Sequence, residues 1–161
     1  NVLVRVGDIK GGYGKRIYDY LHDYSDKNVY YADGNTKPEN REWMKEQLEQ
    51  DVDQNTVLVA SVMTFGEGQD LKNVGLIVIV SSSKSDRLVR QIVGRGLRLS
   101  PYKDKTVIID IVDDLRYSET GKYYNNYMYK HYLERKKIYR EQNFPCYEQK
   151  ITFDNEQTTL I

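Results

Sequence analysis

The stretch Gln91-Ile92-Val93-Gly94-Arg95-Gly96-Leu97-Arg98 decides how the rest of the chain is interpreted. Read as a helix, it places Gln91, Arg95 and Arg98 on one face at i, i+4 and i+7, while its apolar residues favour packing on a sheet. Glycine is unfavourable inside a helix, so the two glycines that flank Arg95 indicate close approach by another surface or a ligand. Guanidinium groups bind phosphate oxygens in pairs. The stretch therefore predicts a phosphate-binding helix, with a solvated basic helix face as the simpler alternative.

A polar, glycine-rich segment follows an apolar run upstream of that helix. Residues 56–60 are nearly all apolar, as expected for a strand of a parallel sheet that is covered on both faces. The segment from Ser61 to Leu71 starts at the carboxyl end of this predicted strand. Because ligands of open α/β sheets bind at the carboxyl ends of strands, we expect a ligand-binding loop here.

Together these two stretches resemble motifs of a known family. The pattern Q-x-x-G-R-x-x-R at 91–98 is similar to motif six of superfamily two helicases and translocases, and residues 57–71 are similar to motif five. The resemblance covers residues 1–115 and implies the second of two RecA-like domains, the one that lacks the nucleotide-binding loop. The tail resembles the end of phage recombination and branch-migration helicases.

The resemblance assigns ATP-related roles to two groups of residues. It implies that Arg95 and Arg98 act as arginine fingers on ATP. It also implies that further residues of the two motifs line the ATP side, namely Gln91, Gly94, Gly68 and Asp70. ATP and Mg²⁺ would be bound mainly by a missing N-terminal RecA-like domain. For Asp70, capping or bracing its own loop is the alternative.

Nucleic-acid contacts are implied at three further places. In the resembled family, Ser61 and Thr64 would touch the nucleic-acid backbone, and so would the turn at Gly34 and the glycine-rich turn that carries Lys10 and Lys15. Motif six opens with glutamine rather than the His-Arg typical of DEAD-box RNA helicases, which favours DNA as the partner. Arg41, on the helix after Gly34, is either part of this region or paired with an acidic neighbour on the surface.

The segment Lys10-Gly11-Gly12-Tyr13-Gly14-Lys15-Arg16 invites comparison with a phosphate-binding loop. The match fails, because position 9 is isoleucine instead of the opening glycine and Arg16 replaces the hydroxyl that would hold magnesium. We expect a glycine-rich turn into a helix over 15–24, whose free N–H groups can still hold a phosphate.

Bulk properties narrow the class of protein only in part. The 161 residues suffice for one well-buried α/β domain with an appendage. Lys plus Arg and Asp plus Glu are equal at 24 each, so net charge alone predicts no nucleic-acid binding. The single cysteine suits a reducing cytoplasm, that of the host if the source is a phage. No apolar run approaches the length of a membrane span, so no membrane partner is expected.

Alternating strands and helices predict an α/β fold with a parallel sheet and helices on both faces. The resemblance implies that this sheet is RecA-like. Strands are predicted at 2–6, 28–32, 56–60, 74–80 and 106–112. Thr36 to Glu39 has capping-box spacing for a helix that reaches residue 50 and buries Trp43, Met44 and Leu48. In the last strand we expect Val107, Ile108 and Ile109 to be buried, with Asp110, Asp113 and Asp114 as turn and capping acids rather than metal ligands.

The tail has a different pattern. Residues 1–115 are predicted to form the RecA-like domain and 116–161 an extension with a long helix over 122–142, a strand over 147–153 and a frayed end. Tyrosines and other apolar residues share one stripe of this helix, while Lys130, Lys136, Lys137 and Arg140 lie away from it. Docking of the tyrosine stripe on the domain is favoured over base stacking and phosphate contact.

These observations favour the second motor domain of an ATP-dependent DNA helicase or translocase, inactive as an isolated fragment. A Rossmann-type nucleotide-binding transferase is one alternative, although the 7–14 stretch is a poor G-x-G-x-x-G match. A non-catalytic nucleic-acid-binding module is the other.

Overall fold

The computed structural model describes residues 1–7, 12–61, 64, 71–80, 90 and 101–152. In these residues, five strands form one parallel sheet in the order β2-β3-β1-β4-β5. The strands are β1 (Val2–Val6), β2 (Asn28–Ala32), β3 (Thr56–Ser61), β4 (Leu76–Ile79) and β5 (Val107–Asp110). The predicted parallel α/β sheet is therefore confirmed.

Two helices cover opposite faces of this sheet, because successive strand residues point to opposite sides. On one face α1 (Tyr13–Tyr24) packs Ile17 and Leu21 against valines of β1, β2 and β3. On the other, α2 (Pro38–Gln50) buries Leu48 completely in a separate apolar cluster. Burial of one such leucine contributes about 1.5–3 kcal/mol. Helices on both faces, as predicted, make this a covered parallel sheet.

The start of α2 differs from the capping-box prediction. Lys37 is the N-cap residue, and no side chain caps the helix there. The hydroxyl of Thr36 instead accepts a hydrogen bond from the backbone N–H of Asp33 at 2.9 Å. Trp43 is 48% exposed rather than buried, and its ring meets Tyr30 edge-on. Thr36 therefore closes the preceding turn, where the sequence had predicted a helix cap.

The C-terminal end of α2 is held by two buried asparagines. Asn73 donates from Nδ2 to the carbonyl of Asp51 at 2.9 Å, and Asn1 donates from its own Nδ2 to the carbonyl of Leu48 at 2.7 Å. Asn1 also accepts from the backbone N–H of Thr56 in β3 at 3.1 Å. The last carbonyls of a helix lack partners within it, so these amides satisfy them and join α2 to the sheet.

Strand β5 is less buried than its sequence predicts. Val107 and Ile109 are each 46% exposed; they lie on the same face of the sheet as α1, which packs against β1, β2 and β3. Of the three residues, only Ile108 packs against apolar clusters, on the opposite face. The prediction that all three are buried was wrong, because β5 lies at the edge of the sheet.

The tail contains a hairpin that the sequence analysis missed. Strands β6 (Tyr117–Glu119) and β7 (Lys122–Tyr124) pair antiparallel around a turn in which Thr120 and Gly121 both have positive φ, 50° and 75°. This is the backbone of a type I′ hairpin turn. The predicted helix over 122–142 begins only at Tyr127, as α3 (Tyr127–Glu141).

Helix α3 docks on the sheet, on the same face as α2, through Ile138 and Tyr139, which pack against Ile108. Residues 147–152 form no strand, so the strand predicted over 147–153 was wrong for the part that the structure describes. The division into domains at residue 115 stays a prediction. None of the helices in the described ranges is long and apolar enough to cross a membrane.

Candidate functional site

The carboxyl ends of the five parallel strands lie at one side of the sheet, which we call the carboxyl edge. Ser61 is the last residue of β3 there, and its hydroxyl lies 2.5 Å from that of Thr64. The backbone N–H of Thr64 also donates to the carbonyl of Ser61 at 3.1 Å. Both residues are buried, Ser61 4% and Thr64 6% exposed. The structure thus brings these two predicted site residues together in a closed turn whose hydroxyls bind each other.

The predicted Gly34 turn follows β2 at the same edge. Asp33 organises it: its carbonyl accepts from the N–H of Thr36 at 3.1 Å, and its carboxylate accepts from the N–H of Asn35 at 2.9 Å. A Cβ placed on Gly34 would meet nothing within 4 Å. The fold itself therefore has room for a side chain at Gly34.

Arg41 braces this turn through the main chain. Its Nε donates to the carbonyl of Thr36 at 2.7 Å and its Nη2 to the carbonyl of Gly34 at 3.2 Å. The acidic neighbour Glu42 pairs with Lys45 instead. Neither sequence interpretation of Arg41 described this arrangement, in which the guanidinium orients the peptide groups of the turn.

The N-terminus of α1 lies where β1 ends, also at the carboxyl edge. Gly12 is its N-cap with φ 66° and supplies no side chain to cap the helix. A Cβ on Gly14 would lie 2.8 Å from Cγ2 of Val6 and 3.4 Å from Tyr31, so only glycine lets the helix start this close to the sheet. Its first turn carries no acidic residue. At the N-terminus of α1, the positive partial charge of the helix dipole is therefore not offset by an acidic side chain of the first turn.

Lys15 projects from this first turn and is exposed. Its ammonium lies 2.7 Å from Asp19 and 4.1 Å from the ring centre of Tyr18. The hydrogen bond to Asp19 raises the pKa of Lys15. Exposed pairs at i, i+4 are weak, so Asp19 does not prevent Lys15 from turning to a phosphate. Lys10 lies outside the described residues.

The predicted ATP-side residues also lie outside the described residues: Gln91, Gly94, Arg95, Arg98, Gly68 and Asp70. Of the segment around motif six, the structure describes Arg90. Its Nη2 donates to Glu141 at the end of α3 at 3.0 Å. The tail therefore touches the residue that directly precedes Gln91.

A buried ionic cluster at the carboxyl edge was missed by the sequence analysis. Arg135 of α3, 1% exposed, donates from Nε and Nη2 to the two carboxylate oxygens of Asp110, both at 2.8 Å. Tyr139 donates its hydroxyl to the same carboxylate at 3.0 Å. Burial, and then the charge of Asp110, raise the pKa of the Tyr139 phenol. The prediction that Asp110 is a turn or capping acid is therefore wrong, and its position at the end of an apolar strand is the signal that could have indicated a buried partner.

No group of three His, Cys, Asp or Glu side chains suited to a metal ion occurs among the described residues. His131 is buried on α3, and its ring centre lies 3.9 Å from that of Tyr127.

Comparison with known proteins connects this geometry to a family. Residues 6–100 match the family described as the helicase conserved C-terminal domain. The ATP-dependent DNA helicase uvsW of Enterobacteria phage T4 is 32% identical over 138 residues, 82% of this chain and 27% of that protein. The solved structure of T4 UvsW matches with a TM-score of 0.67 at 27% identity, over 89% of this chain and 29% of that one.

Two more distant structures share the fold. The C-terminal part of the Fun30 ATPase domain has a TM-score of 0.57 at 15% identity, over 89% of this chain and 48% of that one. The second domain of the Mss116p DEAD-box helicase, solved with an RNA duplex, has a TM-score of 0.57 at 16% identity, over 71% of this chain and 43% of that one. The RecA-like fold is therefore confirmed.

The chain spans 27% of the length of the uvsW helicase, so it corresponds to one part of such a protein. The family match covers more than half of the chain and includes both predicted helicase motifs, which removes the Rossmann-type transferase from consideration. The chain belongs to the helicase conserved C-terminal domain family, the second RecA-like domain of superfamily two helicases.

Proposed function

We propose that this chain is the second motor domain of an ATP-dependent DNA helicase or translocase. The observation that carries the proposal is the family match, which runs through residue 100 and so contains both the loop after β3 and the Gln91–Arg98 stretch. DNA is favoured over RNA because uvsW is described as a DNA helicase and because motif six opens with Gln91. The cytoplasm, that of the host for a phage protein, is the proposed location.

In this proposal, ATP is hydrolysed in a cleft between this domain and an N-terminal RecA-like domain. That partner domain would supply the phosphate loop and most ligands of ATP and Mg²⁺. Arg95 and Arg98 act as arginine fingers, whose charge offsets the charge that develops on the transferring phosphoryl group. The remaining ATP-side residues are Gln91, Gly94, Gly68 and Asp70.

The nucleic-acid strand would lie along the carboxyl edge. Two elements located there support this: the Gly34 turn braced by Arg41, and the N-terminus of α1 with Lys15. Ser61 and Thr64 lie at the same edge and are proposed as backbone contacts from the family resemblance, since their hydroxyls bind each other in this structure. Lys10 precedes that helix in the sequence. Main-chain N–H groups and lysines bind phosphates without reading bases, so contact should be sequence-independent and steeply salt-dependent.

Substitution of Arg95 in the full-length protein tests the proposal. DNA-stimulated ATP turnover of Arg95→Ala should fall by about 10³–10⁵-fold, the usual contribution of an arginine finger. Arg95→Lys should restore little of it, because an ammonium cannot bridge two phosphate oxygens. The melting temperature should not change, since a residue that faces a cleft packs no core. The isolated chain should show no ATPase activity.

Arg140→Ala is the matched control, since it removes an exposed arginine from the last turn of α3. Turnover of this variant should stay at the wild-type level. Near-normal turnover in Arg95→Ala would refute the arginine-finger role. Reduced DNA affinity without reduced turnover would instead identify a non-catalytic nucleic-acid-binding module.

A further inference from the structure

The β6–β7 hairpin presents two tyrosines as a stacked pair. Tyr117 and Tyr124 lie directly opposite each other in the register of the hairpin. Their ring centres are 5.1 Å apart and their planes are inclined by 14°. They remain 56% and 40% exposed. Two nearly parallel rings are thus held on one face of the hairpin and open to solvent.

The base of the hairpin is held in place by contacts with α3. Arg116, directly before β6, lies 4.0 Å from the ring centre of Tyr129 and donates to both oxygens of Asp114 at 2.7 Å. Asn126, the N-cap residue of α3, donates to the carbonyl of Asp113 at 3.0 Å. An isolated two-stranded hairpin is at best marginally stable in water, so these anchors fix where the tyrosine pair points.

The hairpin lies at the carboxyl edge, because it connects the carboxyl end of β5 to the start of α3. Asp110 ends β5, and α3 runs back along the sheet so that Ile138 reaches Ile108. β3, which carries Ser61, is three strands from β5 in the sheet. At about 4.8 Å per strand, this separation is roughly 14 Å. A single strand that lies along the carboxyl edge from the Ser61–Thr64 turn therefore reaches the end of β5, from which the chain continues into the hairpin.

We propose that Tyr117 and Tyr124 form a stacking platform for bases of the single-stranded nucleic acid that the motor holds. This inference rests on the proposed function and adds to it a contact with bases, where the other contacts go to phosphates. Aromatic rings stack on any base, since every base has a π-face, so the platform is compatible with movement along a strand of any sequence.

The chemistry of the surface favours nucleic acid over a protein partner. Its exposed groups are flat rings with hydroxyls, whereas a protein-binding patch is centred on a well-packed apolar pocket. Asp114 neutralises Arg116, so the platform contributes stacking rather than charge.

The test compares two single-stranded oligodeoxynucleotides bound to the full-length protein. One is a fluorescein-labelled oligodeoxythymidine, and the other keeps the same backbone but lacks bases at consecutive central positions. The double variant Tyr117→Thr, Tyr124→Thr removes both rings and keeps residues that favour strands. It should lose at least about fivefold in affinity for the complete strand, the equivalent of about 1 kcal/mol per stacked base. Its affinity for the strand with missing bases should stay at the wild-type value.

Two variants control the measurement. Tyr117→Phe with Tyr124→Phe keeps the rings and should bind as the wild type does. Tyr20 and Tyr24 form another exposed pair, with ring centres 4.8 Å apart, at the end of α1 that is far from the carboxyl edge. Tyr20→Thr with Tyr24→Thr should therefore leave both affinities unchanged.

Wild-type affinity of the double Thr variant for the complete strand would overturn the platform, and so would equal losses of affinity for both oligonucleotides. Loss of DNA-stimulated ATPase activity at unchanged affinity would also overturn it and would indicate a contact with protein instead. The proposed function is tested separately, by ATP turnover of the Arg95→Ala variant. If that variant retains turnover, the motor proposal fails, and the affinities for the two oligonucleotides still show whether the tyrosines stack on bases. If the Thr variant unfolds, the single variant Tyr117→Thr answers the same question.

Discussion

Replacing Arg135 by methionine removes the cation from the most buried charged contact that the structure describes. The guanidinium binds both oxygens of Asp110 at 2.8 Å, and the two side chains are only 2% and 11% exposed. Methionine keeps most of the length and apolar volume of the side chain, so the change isolates the charge. Asp110 retains the hydroxyl of Tyr139 as a hydrogen-bond donor.

The expected loss follows from leaving one charge buried without its counter-ion. Breaking such a pair costs about 3–5 kcal/mol, and the remaining Tyr139 contact places Arg135→Met at about 3 kcal/mol. For a chain of this size, that free energy lowers the melting temperature by about 6–12 °C. Adding Asp110→Asn removes the stranded charge, so the double variant should be less destabilised than the sum of the single ones.

Urea and thermal unfolding of the purified chain measure these differences. Lys137→Ala is the control, because it breaks an exposed i, i+3 pair with Glu134 and should cost no more than about 0.5 kcal/mol. An Arg135→Met loss as small as that of the control would show that the buried pair does not hold α3 on the sheet. Additive losses in the double variant would contradict direct coupling between Arg135 and Asp110.

Two further substitutions test features of the fold. Gly14→Ala should destabilise the chain by about 1–3 kcal/mol in urea unfolding, because its Cβ would lie 2.8 Å from Cγ2 of Val6. Gly34→Ala, where the space is open, should change stability by less than about 0.5 kcal/mol, and equal effects of the two would refute the steric argument. Tyr139→Phe tests the pH dependence: since burial and Asp110 raise the pKa of Tyr139, the unfolded chain loses its phenolic proton first, near pH 10. The stabilisation by the protonated Tyr139 phenol is complete below that pH and is lost as the pH rises further. The melting temperature of the variant should therefore fall less steeply above about pH 10 than that of the wild type. Parallel curves of melting temperature against pH for the two proteins would contradict this.

The sheet was predictable because its strands differ sharply from their surroundings. The predicted bounds of β1 and β2 are those observed, and β3 extends by one residue to Ser61. The exposure of Val107 was not predictable, because an apolar run looks the same in a central strand and at an edge. The hairpin was hidden because Thr120-Gly121 lacks the Asn-Gly or Asp-Gly signal of its turn type.

Prediction of the site was limited by side-chain partners far apart in the sequence. The positions of Ser61 and Thr64 after β3 followed from the end of an apolar strand. The pairing of Arg135 with Asp110 joins residues 25 positions apart, and helical periodicity alone does not say which charged residue turns inward. The main-chain contacts of Arg41 were missed for the same reason, since carbonyl acceptors leave no mark in the sequence.

The asparagine clasp at the end of α2 has a mechanical consequence. Asn1 and Asn73 tie the helix to the sheet on the side opposite the carboxyl edge, so a shearing load between α2 and β3 has to break several buried hydrogen bonds at once. For a domain proposed to work in a motor, these bonds mean that a force on α2 passes directly to β3. We expect α2 and the sheet to move as one rigid unit when the domain rotates.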